Sequence, residues 1–103
     1  MKLIRDLEEA IDDEIYDVKK YAKWAAELKA EHPTLAQVLF NISTQEDGHH
    51  AAIHNEVVKI IEEHRRVHGE PPAAMMAVYD YLHKRSIDKL AEARQYQDIF
   101  RNS

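Results

Sequence analysis

Cysteine is absent from the chain, and glycine and proline are scarce, with two and three residues respectively among 103. The lack of cysteine excludes disulfide bonds, zinc fingers, iron–sulfur clusters and thiolate catalysis. Loops that cradle phosphates need glycine at fixed spacings, so two glycines exclude the P-loop and dinucleotide-binding types. No apolar run approaches the roughly 18 residues that span a bilayer, and the first residues lack the apolar core of a signal peptide. We therefore expect a cytoplasmic protein without a membrane partner.

The charge of the chain is unequal in sign. Nineteen aspartates and glutamates stand against fourteen lysines and arginines, which gives a formal net charge of −5. This balance disfavours binding to nucleic acid phosphates and favours the collection of cations. A hydrophobic share of 45% and a charged share of 32% are typical of a globular, helix-biased chain. The residues in unusual supply are carboxylates and histidine, so we look for function among them.

Strong helix breakers occur at only two places, at Pro33 and in the stretch 69–72, which holds one glycine and two prolines. Proline is rejected by the helix interior, and glycine suits a helix C-terminus. The segments between these breakers are rich in Ala, Leu, Glu, Lys and Gln, all good helix formers. The sequence therefore predicts an all-α fold in a single domain, 1–103, with three long helices over about 2–31, 33–68 and 72–101.

The lengths of these helices bear on assembly. Short connectors make consecutive helices antiparallel neighbours. At 1.5 Å per residue each helix is roughly 45–50 Å long, which is more than a lone three-helix domain of this size needs. We therefore expect a homo-oligomer that is at least a dimer.

Apolar residues recur at alternating steps of three and four in all three segments. The first row is interrupted by one carboxylate, Glu14, and the second by a Glu-x-x-His formed by Glu46 and His49. The third row contains no glutamate. The other members of the first row are Ile4, Leu7, Ile11, Val18, Tyr21, Ala25 and Leu28. Those of the second are Leu35, Leu39, Ile42, Ile53, Val57, Ile60, His64 and Val67. The third row is Met75, Tyr79, Leu82, Ser86, Leu90, Ala93, Gln97 and Phe100.

The polar members of these rows indicate a metal site. A carboxylate in a buried row raises the free energy of the folded state unless it is paired with a cation or binds a metal. Glu46 and His49 leave one helix face a turn apart, so both can reach one ion. Antiparallel packing brings Glu14 to a similar height. One chain thus offers half the ligand set of a di-iron carboxylate bundle, and a two-fold dimer would supply the other half. The alternative is a non-enzymatic helical oligomerisation module whose buried polar layer fixes the register.

Residues 7 to 60 resemble the first helical hairpin of the ferritin-like superfamily, in particular rubrerythrin and bacterioferritin. The matching residues are Glu14, Tyr21 seven positions later, and the Glu-x-x-His of Glu46 and His49. The third helix holds no second copy of the ligand motif, and a half-length chain completed by dimerisation is similar to encapsulated ferritin. The resemblance implies a ferritin-like hairpin that dimerises into a four-helix bundle.

The same resemblance implies a role for each residue of the site. Glu14 corresponds to a terminal carboxylate ligand, Glu46 to the metal-bridging carboxylate, His49 to the imidazole ligand, and Tyr21 to a tyrosine near the metals that can donate one electron. The implied cofactor is a dinuclear iron centre, in which manganese or zinc can substitute. The implied activity is that of a ferroxidase-like oxidoreductase that oxidises Fe²⁺ with O₂ or peroxide, for iron storage or detoxification. A purely structural metal site is the remaining alternative.

Other histidines offer weaker candidates for metal ligands. His50 and His54 are four residues apart, as are His64 and His68. Each pair could therefore bind one metal ion from a single face of its helix. Positive charge is favoured near a helix C-terminus, where His64 and His68 lie. Solvent-exposed or helix-terminal histidines are therefore the favoured interpretation of both pairs.

Further carboxylates surround the predicted site. Glu56 lies seven residues beyond His49 and could extend the site, and Asp80 with His83 is the nearest approach to a ligand motif in the third helix. Four acidic residues occupy the first half of the first helix. They suit its positive N-terminal end, or they could concentrate Fe²⁺ near Glu14. These four are Glu8, Glu9, Asp12 and Asp13.

Overall fold

A computed structural model describes residues 2–103, which form three helices and no strand: α1 (Lys2–Leu28), α2 (Pro33–His68) and α3 (Ala73–Asn102). The predicted all-α class and the number of helices are confirmed. Only Met1 of the predicted 1–103 domain lies outside the described residues. The chain is elongated, with extents of 56 × 19 × 18 Å. None of the three helices holds an apolar stretch of the length needed to cross a membrane.

The helix boundaries follow the breakers, with one difference at the end of α1. This helix ends at Leu28 rather than at residue 31. Proline disfavours the α conformation in the residue before it, and His32 accordingly has φ −135° and ψ 67°. The His32 N–H donates to the Leu28 carbonyl at 2.8 Å, so the chain turns before α2 begins. At the end of α2, Gly69 has a φ of +79°, a conformation that costs glycine little.

The helix α1 packs against both of the others. It runs parallel to α3, because Asp12 pairs with Arg85 and Lys19 pairs with Glu92 at the same sequence offset of 73 residues. It runs antiparallel to α2, as predicted. The α2 and α3 backbones approach each other at few points, which differs from the prediction that consecutive helices are close neighbours. A cleft therefore separates part of α2 from α3, with α1 at its floor.

A buried serine joins the three helices near the middle of the molecule. The Ser43 hydroxyl of α2 donates to the Val18 carbonyl of α1 at 2.7 Å and accepts a hydrogen bond from the Gln97 amide of α3 at 3.0 Å. Two apolar clusters contribute to the core. One consists of Ile11, Ile15, Val57, Ile61 and Leu90, and the other of Ala25, Ala36, Leu39 and Phe100.

The rows predicted from the sequence are buried to different degrees. In α3 the second half of the predicted row is buried, namely Ser86, Leu90, Ala93, Gln97 and Phe100, whereas Met75, Tyr79 and Leu82 are only partly buried. In α1 the buried row is Glu8, Ile11, Ile15, Val18, Ala22 and Ala25, so only three of the eight predicted members, Ile11, Val18 and Ala25, are in it. The rest of the predicted α1 row is only partly buried: Ile4, Leu7, Glu14, Tyr21 and Leu28. One edge of the α1–α2 hairpin is thus apolar and not fully covered.

Candidate metal centre

The structure brings Glu14, Glu46 and His49 together. Glu14 comes from α1, and Glu46 and His49 come from α2, one turn apart. One ligand atom from each lies within 4.8 Å of the other two, and among residues 2–103 no other group of three or more metal-ligating side chains meets this condition. The register predicted from antiparallel packing is therefore confirmed.

The distances within this triad suit metal coordination better than hydrogen bonding. The His49 Nδ1 atom lies 3.6 Å from Glu14 Oε2 and 3.7 Å from Glu46 Oε2, beyond the range of a normal hydrogen bond. Two atoms that each bind a tetrahedral ion at about 2.0–2.1 Å are separated by roughly 3.3 Å. A small contraction of the triad would therefore place all three ligands on one ion.

The electrostatics of the triad also call for a cation. The Glu14 Oε2 atom is buried and accepts no hydrogen bond when both glutamates are ionised. The pKa of Glu14 is raised, chiefly because its carboxyl can share a proton with that of Glu46, and further by burial and by the charge of Glu46. Two adjacent carboxylates repel each other unless a proton or a cation lies between them. A divalent ion would replace that proton.

The triad is open on one side. The His49 side chain is 61% exposed, whereas those of Glu14 and Glu46 are 26% and 19% exposed. Partly buried apolar side chains continue the two rows on either side of the triad: Leu7, Tyr21 and Leu28 in α1, and Ile42, Ile53 and Ile60 in α2. We call this surface, including the triad, the seam face. The seam face therefore exposes both metal ligands and apolar side chains on the same side of the molecule.

Tyr21 lies on the seam face but outside the triad. It is seven residues from Glu14, which corresponds to about 10 Å along a helix. It packs against the cluster around Leu39 and Phe100, and the Lys20 ammonium lies 4.7 Å from the centre of its ring. The structure thus places Tyr21, partly buried, beside this cluster, and its role as an electron donor stays a prediction.

Several of the weaker candidates lie away from the triad. Glu56 is exposed and pairs with Lys59 at 3.0 Å. Asp12 pairs with Arg85 and accepts a hydrogen bond from Ser86, so it faces α3. The rings of His64 and His68 lie against each other near the end of α2, with centroids 5.1 Å apart. None of these contacts connects these residues with Glu14.

The burial of Glu8 was not predicted from the sequence. Its place in the first turns of α1 suggested a surface charge, yet the residue is only 2% exposed. A signal was present in the spacing, because Glu8, Ile15 and Ala22 recur every seven residues and all three are buried. This second row could not be distinguished from the predicted one, since both share the buried residues Ile11 and Val18.

Comparisons with known proteins identify no relative of this chain. No protein-family model, curated protein or solved structure matches the chain. The resemblance to the ferritin-like superfamily therefore remains a prediction that rests on Glu14, Tyr21, Glu46 and His49. What the structure adds is that three of these four side chains meet.

Proposed function

We propose that this protein is a ferritin-like, cytoplasmic ferroxidase, in which two chains join their α1–α2 hairpins into a four-helix bundle around a dinuclear metal centre. The observation that carries the proposal is the meeting of Glu14, Glu46 and His49 within 4.8 Å on a partly exposed face. Carboxylates with imidazole suit iron, manganese or zinc. Iron is the metal that the resemblance to ferritin-like proteins implies, and in this proposal O₂ or peroxide oxidises it from Fe²⁺ to Fe³⁺.

The seam face supports the dimeric arrangement. Its apolar residues are incompletely covered within one chain, while its centre holds half of a di-iron ligand set. A two-fold axis through the triad would bury the apolar residues of both copies against each other, since the same surface then serves both partners. It would also bring together four glutamates and two histidines, which is the complete set.

The chain's own residues have distinct tasks in this proposal. Glu46 would supply the carboxylate shared by the two ions, Glu14 a terminal carboxylate and His49 an imidazole. Two Fe²⁺ ions, as substrates, each lose one electron to an O₂ molecule, which takes up two protons and leaves as hydrogen peroxide. The carboxylates hold the more highly charged Fe³⁺ products more strongly than Fe²⁺, and this difference favours the oxidation. Tyr21 would serve as a one-electron donor to the oxidant, and would become a neutral tyrosyl radical as its phenolic proton is released.

A test is the rate of Fe²⁺ oxidation after anaerobic loading and exposure to O₂, followed by ultraviolet absorbance. We expect wild-type protein to oxidise Fe²⁺ faster than a protein-free control, and Glu46→Ala to fall to the rate of that control because the bridge is lost. Tyr21→Phe should keep iron binding and change only the later electron-transfer phases, since the ring still fills its place. Glu56→Ala, which removes an exposed carboxylate of the same helix, should match wild type.

Two outcomes of this test would contradict the proposal. Wild-type protein that oxidises Fe²⁺ no faster than the protein-free control is not a ferroxidase. Equal rates in wild type and Glu46→Ala would place any activity outside the triad.

A second candidate function is a non-enzymatic oligomerisation module, and the exposed apolar residues of α3 favour it. Val78, Tyr81, Ile87 and Ile99 are each more than half exposed, so α3 offers a surface for assembly that is separate from the triad. In this case the polar triad would only fix the register of the helices. The protein would then dimerise equally well with and without metal.

A further inference from the structure

A second cluster of metal-ligating side chains lies in the cleft between α2 and α3. The cleft contains a cavity of about 330 Å³. Four side chains that can bind a metal, drawn from all three helices, line it: Glu8 from α1, His50 and His54 from α2, and His83 from α3. This volume holds an ion together with water molecules that complete its coordination.

Glu8 is the side chain that most needs a ligand. It is 98% buried, and neither of its carboxylate oxygens accepts a hydrogen bond from the protein. Burial, together with the nearby charge of Asp12, raises its pKa. A buried carboxylate without a partner is strongly unfavourable, and buried charges in proteins are normally paired or bound to metals. Among the described residues no cationic side chain pairs with Glu8, because the Arg94 guanidinium that also lines the cavity is paired with Asp47.

The histidines offer nitrogen ligands towards the same cavity. His50 and His54 are one helical turn apart on α2, and the buried His50 Nδ1 atom also lacks a hydrogen-bond partner. The ring of His83 lies flat against that of His54, with centroids 4.8 Å apart and an angle of 12° between the planes. Burial lowers the pKa of His54, which favours the neutral imidazole that binds metals.

This cavity is separate from the triad. Asp47, next to Glu46 in sequence, turns towards α3 and pairs with Arg94, and Arg94 also lines the cavity. The cavity thus lies on the α3 side of α2, whereas Glu46 and His49 meet Glu14. A bound anion is disfavoured there, because Glu8 would repel it.

We propose that the cleft is a second metal site, which binds one divalent transition-metal ion of the zinc class through Glu8 and the imidazoles of His50, His54 and His83. One carboxylate with two or three imidazoles is a donor set that zinc accepts, often with water in the remaining position. It is richer in nitrogen than the triad, so the two sites differ in metal preference. The ligand atoms are spread more widely than in the triad, and the His54 and His83 rings must rotate out of their stack to bind.

The test uses Co²⁺ as a spectroscopic probe for zinc, in a full-length Glu46→Ala/His49→Ala variant that lacks the first site. We expect one Co²⁺ per chain, with the visible absorption of a four-coordinate ion, and displacement by Zn²⁺. Adding His54→Gln or His83→Gln to this variant should weaken binding by at least about tenfold. His64→Gln, at the end of α2, is the matched control and should leave the affinity unchanged.

Three results would overturn the proposal. One is a variant that keeps its helical circular dichroism and binds no Co²⁺. Another is loss of binding in the His64→Gln control while His54→Gln retains it, because the metal would then belong to the terminal histidine pair. The third is unchanged affinity in both His54→Gln and His83→Gln. If His54→Gln fails to fold, His83→Gln decides, since His83 lies on a different helix.

Discussion

Mn²⁺ should raise the melting temperature of the protein by roughly 10–20 °C at a hundredfold excess over its dissociation constant, and Glu46→Ala should abolish this rise. Binding to the native state alone adds RT ln(1 + [L]/Kd), or about 2.7 kcal/mol at that excess. In a domain of this size, 1 kcal/mol shifts the melting temperature by about 4–8 °C. Mn²⁺ is chosen because it prefers oxygen ligands and so reports mainly on the triad.

The metal-free protein provides the other half of this prediction. Without a cation Glu14 and Glu46 crowd each other, so Glu46→Ala in the presence of a chelator should be at least as stable as wild type. Glu56→Ala is the matched control, because it removes a glutamate from the same helix and should keep the full response to Mn²⁺. If Glu46→Ala and wild type melt alike in both conditions, the two glutamates do not bind the metal.

Glu8→Met should stabilise the metal-free protein at pH 7 by about 1–3 kcal/mol, the cost of leaving a buried polar group without a partner. The folded-state pKa of Glu8 lies above its unfolded value, chiefly because of burial. The folded state therefore binds this proton more strongly, and its contribution to stability is lost as the pH rises from the unfolded pKa through the folded one. The advantage of Glu8→Met should accordingly be small at acidic pH and grow towards neutral pH.

Urea denaturation across this pH range, with chelator present, measures the effect. The comparison must be with wild type at each pH, because Asp12 on α1 lies near Glu8 and other titratable or charged groups line the same cavity: His50 and His54 on α2, and His83 and Arg94 on α3. Glu9→Met is the matched control, since Glu9 is the exposed neighbour. A stability difference between Glu8→Met and wild type that does not change with pH would show that Glu8 is not held in an unfavourable environment.

The helices and the triad could be predicted because each depends on local sequence. Pro33 and Gly69 set the helix boundaries through backbone sterics alone. The spacing of Glu46 and His49 fixes their common face on any helix. A short connector then leaves one antiparallel register for Glu14. The helix boundaries and the position of the triad depend only on α1, α2 and the short segments that bound them. The packing of α3 is therefore not needed to predict them.

The second site could not be predicted because it depends on how α3 packs. Two apolar rows on α1 share Ile11 and Val18, and only the position of α3 decides that Glu8 and Ile15 are covered while Tyr21 remains partly exposed. The sequence paired His83 only with Asp80 on its own helix, whereas its neighbour across the cleft, His54, is 29 residues away in sequence. Local periodicity carries no information about such contacts.

The central claim, a dinuclear site shared by two chains, is tested most directly by native mass spectrometry of the protein after anaerobic loading with Fe²⁺. The measurement should use His83→Gln, in which the second site is weakened. The account predicts a dimer that carries two iron ions, and a Glu46→Ala/His83→Gln dimer that carries none. A monomer that binds iron, or a wild-type dimer that binds none, would contradict the shared site.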